Sequence, residues 1–193
     1  MREEHTKRLI AAGLKEAVKT VPLKKLTVQE LCNRCQITRG TFYYHFRDLS
    51  DLVCWVYRTE VTLPARRILL ENPLHSGHST LYALQTAFAA RDLYCQALQE
   101  QGQNNLREFA LQDAEESWAL LWESYLQSRC RTERPDSGIR HILRYFASAH
   151  QNAVLSWVNE GMKEPPEQVA DLIERASQTG LLAAFEKASM PRA

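Results

Sequence analysis

The sequence has no long hydrophobic run, few chain-breaking residues and no alternating pattern typical of β-strands. No stretch approaches the roughly 18 uninterrupted apolar residues that a membrane span requires, so we expect no membrane segment. The opening stretch, MREEHTKRLI, mixes acids with bases and leads into no apolar run, which argues against a secretory signal. Gly and Pro number only seven each in 193 residues. A chain of this kind is predicted to fold mainly as helices.

The sequence also lacks the motifs on which many catalytic and cofactor sites are built. It contains no nucleophile elbow, P-loop, dinucleotide-binding glycine pattern or His-Glu-x-x-His run. The five cysteines are odd in number and irregularly spaced, which argues against a disulfide framework and for a reducing compartment. His75 and His78 are spaced for a metal but lack a neighbouring carboxylate or cysteine, so we interpret them as a solvated loop. We expect no enzyme activity, no cofactor and no metal site.

The charges that are present are distributed unevenly beneath a net charge of +1. Residues 1–50 carry ten Lys and Arg against five acids, whereas the remaining residues carry fourteen against eighteen. A basic N-terminal segment on a mildly acidic body predicts that only this segment meets a polyanion. The alternative is chance scatter in a short window, so the interpretation depends on the motifs that follow.

Capping residues divide the N-terminal segment into four predicted helices. Thr6 is a candidate cap for the first helix. Thr27–Glu30 reads Thr-x-x-Glu, a capping box that starts a second, short helix. Thr38 is a natural cap for a third short helix, and Ser50 for a fourth that runs towards Pro64. Two short helices joined by a tight turn behind a longer one make a helix-turn-helix, whose second helix recognises DNA.

The stretch LCNRCQITRGTFYYHF, preceded by TVQE, carries the most specific signal. The capped helix TVQEL, the apolar turn residue Ile37 and the run TRGTFYYHF resemble the DNA-binding domain of the TetR/AcrR family, over residues 6 to about 57. The resemblance implies an all-α protein, with a three-helix helix-turn-helix DNA-binding domain at residues 1–50. It implies a helical effector-binding and dimerisation domain at residues 51–193. In that part RDLYCQAL and VLSWVNEGMKEPPE are similar to a branch that includes regulators of dihydroxyacetone kinase operons (DhaS-like).

Cys32 and Cys35 form a Cys-x-x-Cys pair, which in other settings indicates a metal site or thiol redox chemistry. They fall where the family places small packed residues such as Ala, and free cysteine behaves as a small buried hydrophobe. No second ligand pair follows at zinc spacing. We therefore interpret both cysteines as packing residues.

The sequence departs from the family pattern at two positions. Gln36 stands where the turn usually has Gly, so it has to adopt a left-handed or strained conformation at a cost of about 1 kcal/mol. Leu49 stands where the fourth helix often begins with a basic residue. Arg47 is the candidate to take over the phosphate contact of that residue.

The resemblance assigns DNA-facing positions to the second and third helices. Arg39 is the candidate for a bidentate contact with guanine. Tyr43, Tyr44 and Thr27 are candidates for phosphate hydrogen bonds, with packing against the first helix as the alternative for Tyr44. The predicted DNA-binding residues are Thr27, Gln29, Thr38, Arg39, Gly40, Thr41, Tyr43, Tyr44, His45 and Arg47.

The body offers candidates for a dimer interface and for an effector pocket. Two long helices, predicted at about residues 138–160 and 166–187, are the pair that the resemblance assigns to a four-helix homodimer interface. The candidate interface residues are Ala147, Ala149, Ala153, Val154, Trp157, Leu172, Ile173, Leu181 and Leu182. Effector sites mix aromatic residues with a few polar groups, and core packing is the alternative for each candidate. The candidate pocket residues are Tyr82, Tyr94, Trp118, Trp122, Tyr145, His150 and Asn152.

These features predict a cytoplasmic homodimer that binds a palindromic double-stranded DNA operator and is gated by an unknown effector on the body. Repression is the commoner outcome in the family. The alternative is a regulator of the same family whose body responds to a protein partner and which activates transcription. An architectural DNA-binding protein would be basic throughout, whereas this body is large and acidic.

Overall fold

The structure, a computed structural model, describes residues 2–71, 77–100, 105–128 and 137–188, and it describes side chains in these ranges except at residues 2, 125–128, 137, 139 and 178–188. Within these ranges the chain forms helices and no strands, which confirms the predicted all-α class. The helices are α1 (Arg2–Ala17), α2 (Val28–Cys35), α3 (Arg39–His45), α4 (Leu49–Val56), α5 (Leu63–Glu71), α6 (Gly77–Ala89), α7 (Arg91–Ala97), α8 (Leu106–Ser128), α9 (Ser137–Asn159) and α10 (Pro166–Ala188).

The helix-turn-helix of α2 and α3 begins and ends where its capping residues predict. The backbone N–H of Glu30 donates to the Thr27 hydroxyl at 3.2 Å, and the Glu30 carboxylate accepts from the Thr27 backbone N–H at 2.8 Å. Gln36 ends α2 in the left-handed conformation, with φ of 54°. Thr38 then caps α3 by accepting from the backbone N–H of Thr41 at 3.0 Å. The predicted capping box, left-handed turn residue and second cap are all confirmed.

Two other predicted helix starts were wrong. Helix α1 begins at Arg2, so Thr6 lies inside it, because two acidic residues in the first turn stabilise an earlier start. Helix α4 begins with Asp48 rather than Ser50 as its cap. The Asp48 carboxylate accepts from the backbone N–H of Asp51 at 2.7 Å, and Asp is as strong a cap as Ser.

Helix α4 does not stop before Pro64 but continues through a π-helical segment, Tyr57–Thr62, directly into α5. Pro64 has no backbone N–H to donate to the carbonyl of Glu60, four residues earlier, and its ring disturbs the preceding turn. The Tyr82 hydroxyl from α6 donates to that Glu60 carbonyl at 3.3 Å. A tertiary contact thus replaces a hydrogen bond that the proline removes.

Buried side chains form one cluster that runs without a break from the helix-turn-helix into the body. It includes Phe42 of α3, Leu52 of α4 and Leu155 of α9. A second cluster, with Trp122 and Ala147 in it, fills the contact between α8 and α9. The predicted domain boundary at residues 50/51 falls inside α4. The cluster thus joins α4 both to α3 and to the helices of the body.

The two closing helices agree with their predicted positions to within one or two residues. Helix α9 ends in a tight turn that the Trp157 indole stabilises by donating to the carbonyl of Glu164 at 3.0 Å. Helix α10 begins at Pro166, where the missing N–H of a proline costs nothing. No helix in the described ranges is long and apolar enough to cross a membrane.

Candidate nucleic-acid interface and ligand cavity

Most of the residues predicted to face DNA are exposed, and they lie along α2, α3 and the turn after α3. Eight of the ten are exposed, and Thr41 and His45 are half-buried. Tyr43 is 49% and Tyr44 is 77% exposed. Tyr44 therefore does not pack against the first helix, and its ring instead meets the edge of the His45 ring. Phe42 and Phe46 hold α3 to the interior from its opposite side.

Arg39 and Tyr43 form a pair on the exposed face of α3. The guanidinium lies 5.7 Å from the centre of the Tyr43 ring, and its Nη2 lies 3.5 Å from the phenolic oxygen. This hydrogen bond raises the pKa of Arg39 above its ordinary value, so its positive charge is secure. The contact holds the flexible side chain beside the ring, which reduces the entropy lost when it meets a partner.

Four predicted contact residues, three threonines and Gln29, already use their polar groups within the protein. The Thr27 hydroxyl donates to the Glu30 carboxylate at 2.8 Å, and the Thr38 hydroxyl lies 2.9 Å from that of Thr41. Gln29 donates to the side chain of Asn33 at 2.9 Å. These bonds fix the orientation of the exposed groups but leave each hydroxyl or amide with remaining hydrogen-bonding capacity.

Arg47 lies just after α3 and is bound to the start of α4. Its guanidinium contacts the Asp51 carboxylate at 3.1 Å, and its backbone N–H donates to the same carboxylate at 3.0 Å. The side chain remains 72% exposed. Leu49, in contrast, is half-buried against the main cluster. Arg47 is thus the basic group at this edge of α3, at the place where Leu49 supplies none.

Cys32 and Cys35 are both buried: the Cys35 sulfur lies against α1, 4.0 Å from the carbonyl oxygen of Leu9, and the Cys32 sulfur lies 3.8 Å from the carbonyl oxygen of Thr38. Burial raises the pKa of both thiols, so neither is a reactive thiolate at neutral pH. A Cβ added to Gly13 of α1 would lie 2.2 Å from the Cys35 sulfur. The glycine and the cysteine therefore fit each other across the contact between the two helices.

The body contains a cavity of two adjoining lobes. The outer lobe has about 770 Å³ of empty space and the inner lobe about 520 Å³, part of each open to solvent. The lobes meet at six residues shared by their walls: Tyr57, Val61, Thr80, Ala83, His150 and Gln151.

Charged side chains line the outer lobe, and its arginine is paired with acidic groups. Arg66, with 13% of its side chain exposed, lies 3.4 Å from the carboxylate of Asp113, which is 4% exposed. The Arg66 guanidinium also donates to the Ser117 hydroxyl at 3.1 Å and approaches Glu116 at 3.7 Å. Burial raises the pKa of Asp113, while the neighbouring arginine opposes this shift.

The inner lobe is apolar apart from a few polar groups. Tyr57 and Tyr94 meet edge to face, and Gln151 donates to the Tyr57 hydroxyl at 3.4 Å. The Tyr94 hydroxyl is buried and has no hydrogen-bond partner in the part of the chain that the structure describes. Burial lowers the pKa of His150 to about 4, so its ring is neutral at pH 7. This lobe suits an apolar molecule.

Three of the seven predicted pocket residues line this cavity, namely Tyr94, Trp118 and His150. The other four line neither lobe. Tyr82 bonds to the π-helical segment, Trp122 lies in the α8–α9 cluster, Tyr145 is 69% exposed and Asn152 is exposed on α9. Sequence reasoning also missed the other lining residues, among them Tyr57, Arg66, Asp113 and Gln151. Arg and Asp are mostly exposed in proteins, so the sequence does not indicate that packing buries these two.

Two sets of contacts connect the body to the N-terminal helices. Glu60 lies in the π-helical segment, between lining residues, and its carboxylate binds Lys15 of α1 at 2.7 and 2.8 Å. Gln96 of α7 accepts from the backbone N–H of Leu23 at 2.7 Å and donates to the carbonyl of Val18 at 3.2 Å. These contacts join the N-terminal helices to the body on two sides.

The predicted interface residues divide into an outward and an inward group. Ala149, Ala153 and Leu172 are exposed, the last to 63%, and Val154 is half-buried. The side chains inside the protomer are Ala147, Trp157 and Ile173, all at most 6% exposed. Leu181 and Leu182 lie outside the residues whose side chains the structure describes.

Comparison with known proteins identifies the family. Residues 78–179 match the family described as "Transcriptional regulator C-terminal region" (TetR_C_8). A search of curated proteins found no significant match. Among solved structures, the chain is similar to "Dihydroxyacetone kinase operon activator DhaS", with a TM-score of 0.64, 19% identity and coverage of 94% of this chain and 97% of that one.

A second solved structure is NalD, "the secondary repressor of MexAB-OprM multidrug efflux pump in Pseudomonas aeruginosa", with a TM-score of 0.60 and 20% identity. The alignment covers 93% of this chain and 97% of that one. At these identities the two structures establish a shared fold. With the family match over more than half of the sequence, the chain belongs to the TetR family of transcriptional regulators.

Proposed function

We propose that the protein is a cytoplasmic homodimer that binds a palindromic double-stranded DNA operator through α3 and represses transcription until an effector occupies the cavity. The observation that carries DNA binding is the exposed face of α3, where Arg39, Tyr43 and Tyr44 stand on a helix fixed from behind by buried aromatic residues. Donors and flat rings on a rigid helix suit base edges and phosphates.

Gly40, at the start of α3, gives independent support. A Cβ at this position would meet nothing closer than the Thr38 hydroxyl, at 3.6 Å. Packing within the protein therefore does not require a glycine here. The absence of a side chain is useful to a partner that approaches the backbone closely, as a phosphate does at the start of a helix.

DNA recognition is tested by selecting bound sequences from random duplex DNA with the purified protein. We expect an enriched palindrome, because a symmetric dimer presents two copies of α3 to two half-sites. Arg39→Ala should lose about 1–3 kcal/mol of binding free energy on that palindrome and relax its sequence preference. The matched control is Arg67→Ala, which removes an exposed arginine from α5. Full affinity and selectivity in the Arg39 variant contradict the assignment of α3.

The dimer interface is proposed on the outward faces of α9 and α10. Tyr145, Ala149 and Ala153 are exposed and spaced by four residues, so they form one stripe along α9. Leu172 exposes a large apolar side chain on α10. Burial of these apolar groups in a partner removes them from water, which favours association.

Sedimentation equilibrium of Leu172→Glu tests this interface. An unpaired charge in an apolar contact should raise the dimer dissociation constant at least about tenfold. Gln112→Glu places the same charge on the exposed surface of α8 and serves as the control. Equal dissociation constants in the two variants contradict the proposed face.

Effector gating is supported by the position of the π-helical segment, Tyr57–Thr62. Tyr57, Val61 and Thr62 line the cavity, while Glu60 of the same segment binds Lys15 of α1. A molecule that binds one arrangement of this segment better than another shifts the position of α1, and with it the spacing of the two α3 helices. The alternative is a body that responds to a protein partner and a regulator that activates. The two similar structures are named as an activator and a repressor, so the sign is tested with a reporter under the selected operator.

A further inference from the structure

Tyr94 is one of the residues that line the inner lobe, and its side chain carries an unused hydrogen-bonding group. It is 2% exposed, and its hydroxyl has no partner among the described residues. A buried polar group without a partner costs free energy comparable to a lost hydrogen bond. An unpartnered hydroxyl at this position therefore lowers stability. Its presence is explained if a molecule bound in the lobe supplies the missing hydrogen-bond partner.

Burial also keeps this hydroxyl in its protonated form. The apolar surroundings, and secondarily the nearby Glu60, raise the pKa of Tyr94 well above its usual range. The group therefore has a hydrogen to donate at every physiological pH. The partner that suits this hydroxyl is an oxygen that accepts a hydrogen bond.

The rest of the inner lobe specifies the charge of its occupant. Among the residues described, none with a formal charge at pH 7 lines this lobe. His150 is neutral there, because burial lowers its pKa to about 4. An ion placed in such surroundings loses its hydration without a counter-charge. The inner lobe therefore excludes charged groups.

Among its described lining residues, the outer lobe offers no unopposed positive charge either. Its arginine, Arg66, already contacts Asp113 at 3.4 Å and Glu116 at 3.7 Å. A ligand carboxylate would have to displace or share these two acidic partners. Binding of an anion is therefore opposed in both lobes.

We propose that the inner lobe binds a neutral, largely apolar molecule with a hydrogen-bond-accepting oxygen, and that Tyr94 determines its specificity by donating a hydrogen bond to that oxygen. This inference rests on the proposed effector gating, since it names the class of molecule that occupies the same cavity. Tyr57 lies beside Tyr94 at a ring separation of 5.9 Å. A molecule at Tyr94 thus contacts the π-helical segment, which is joined to α1 by the ion pair of Glu60 with Lys15.

The test uses three probes of similar shape: 2-acetylnaphthalene has an accepting oxygen, 2-ethylnaphthalene has none, and 2-naphthoate is an anion. Binding to the full-length protein is measured by equilibrium dialysis. We expect 2-acetylnaphthalene to bind roughly three- to tenfold more tightly than 2-ethylnaphthalene, the ratio that one hydrogen bond supplies. The anion should bind most weakly. Tyr94→Phe should remove the preference for the ketone and leave the binding of 2-ethylnaphthalene unchanged.

Tyr82→Phe is the matched control, because it removes a hydroxyl that bonds to the Glu60 carbonyl outside the cavity. It should lower the denaturation midpoint in urea and keep the preference for the ketone. Tyr94→Phe should not lower that midpoint, since its hydroxyl has no internal partner to lose. A clear loss of stability in Tyr94→Phe would mean that its hydroxyl is already satisfied and would overturn the proposal.

Equal binding of the ketone and the hydrocarbon, tightest binding of the anion, or no saturable binding of any probe also overturns the proposal. These outcomes are separable from failure of the proposed function. Operator selection uses the protein without ligand and does not depend on this lobe. Selective probe binding with no enriched operator would contradict DNA regulation alone, whereas an enriched operator without probe binding would contradict only the inference about the ligand.

Discussion

The contact between Gly13 and Cys35 predicts that Gly13→Ala destabilises the protein when the Cys35 sulfur is present and stabilises it when that sulfur is absent. In an exposed helix, replacing Gly with Ala stabilises by about 1 kcal/mol. In this protein the new Cβ would lie 2.2 Å from the Cys35 sulfur, whereas it would lie 3.9 Å from the Cys35 Cβ and 3.5 Å from Leu31 Cδ1. The clash is therefore with one atom. Overpacking of this kind costs about 1–3 kcal/mol, so Gly13→Ala should be destabilising by about 1 kcal/mol.

Removal of the sulfur reverses this result. In a Cys35→Ala background the nearest remaining atoms stand at ordinary contact distances from the added methyl group. Gly13→Ala should then stabilise by about 1 kcal/mol, the full helix preference. The coupling free energy between the two substitutions is thus about 2 kcal/mol, which is large for a pair of small residues.

The assay is urea denaturation of the four proteins, followed by far-ultraviolet circular dichroism under reducing conditions. Protein concentration is held constant, because any association shifts apparent stability. Ala12→Gly is the control, since it changes helix propensity on the exposed side of α1. It should cost about 1 kcal/mol in both backgrounds. If Gly13→Ala has the same effect with and without the sulfur, the packing account of Cys35 is refuted.

Two further predictions concern pH and capping. Burial lowers the folded-state pKa of His150 to about 4 from an ordinary 6.5, so between these values the unfolded chain binds a proton that the folded protein does not. Stability should therefore fall between pH 7 and pH 5 by up to about 1.8 kcal/mol through this residue, and His150→Gln should lose correspondingly less in urea denaturation at the two pH values. Asp48→Ala should cost about 1 kcal/mol of unfolding free energy and Ser50→Ala close to nothing, a difference that would vanish if Ser50 were the cap.

Local signals in the sequence were enough to place most helices, because capping is a contact between residues three or four apart. The Thr27 capping box and the left-handed Gln36 needed no tertiary information. The start of α4 was misplaced because Asp48 and Ser50 are equally good caps by type. The choice between them depends on which one the chain presents to the first free N–H groups.

The π-helical segment and most of the cavity depend on contacts that are distant in sequence. Pro64 predicts a helix end, and the helix continues because Tyr82 of α6 supplies a donor for the Glu60 carbonyl. Arg66 and Asp113 are far apart in the chain and become a buried pair only when α5 and α8 pack together. A search for aromatic residues therefore found part of the cavity wall and missed its charged part.

The π-helical segment also fixes the rotational phase of everything that follows it. An α-helix turns by about 100° per residue, and a π-helical turn holds one residue more than an α-helical turn. If residues 57–62 were wound as an ordinary α-helix with the same number of residues, α5 would be rotated by roughly that angle relative to α4. Arg66 would then point away from Asp113. Which side chains line the cavity thus depends on the number of residues in the π-helical segment as well as on their identity.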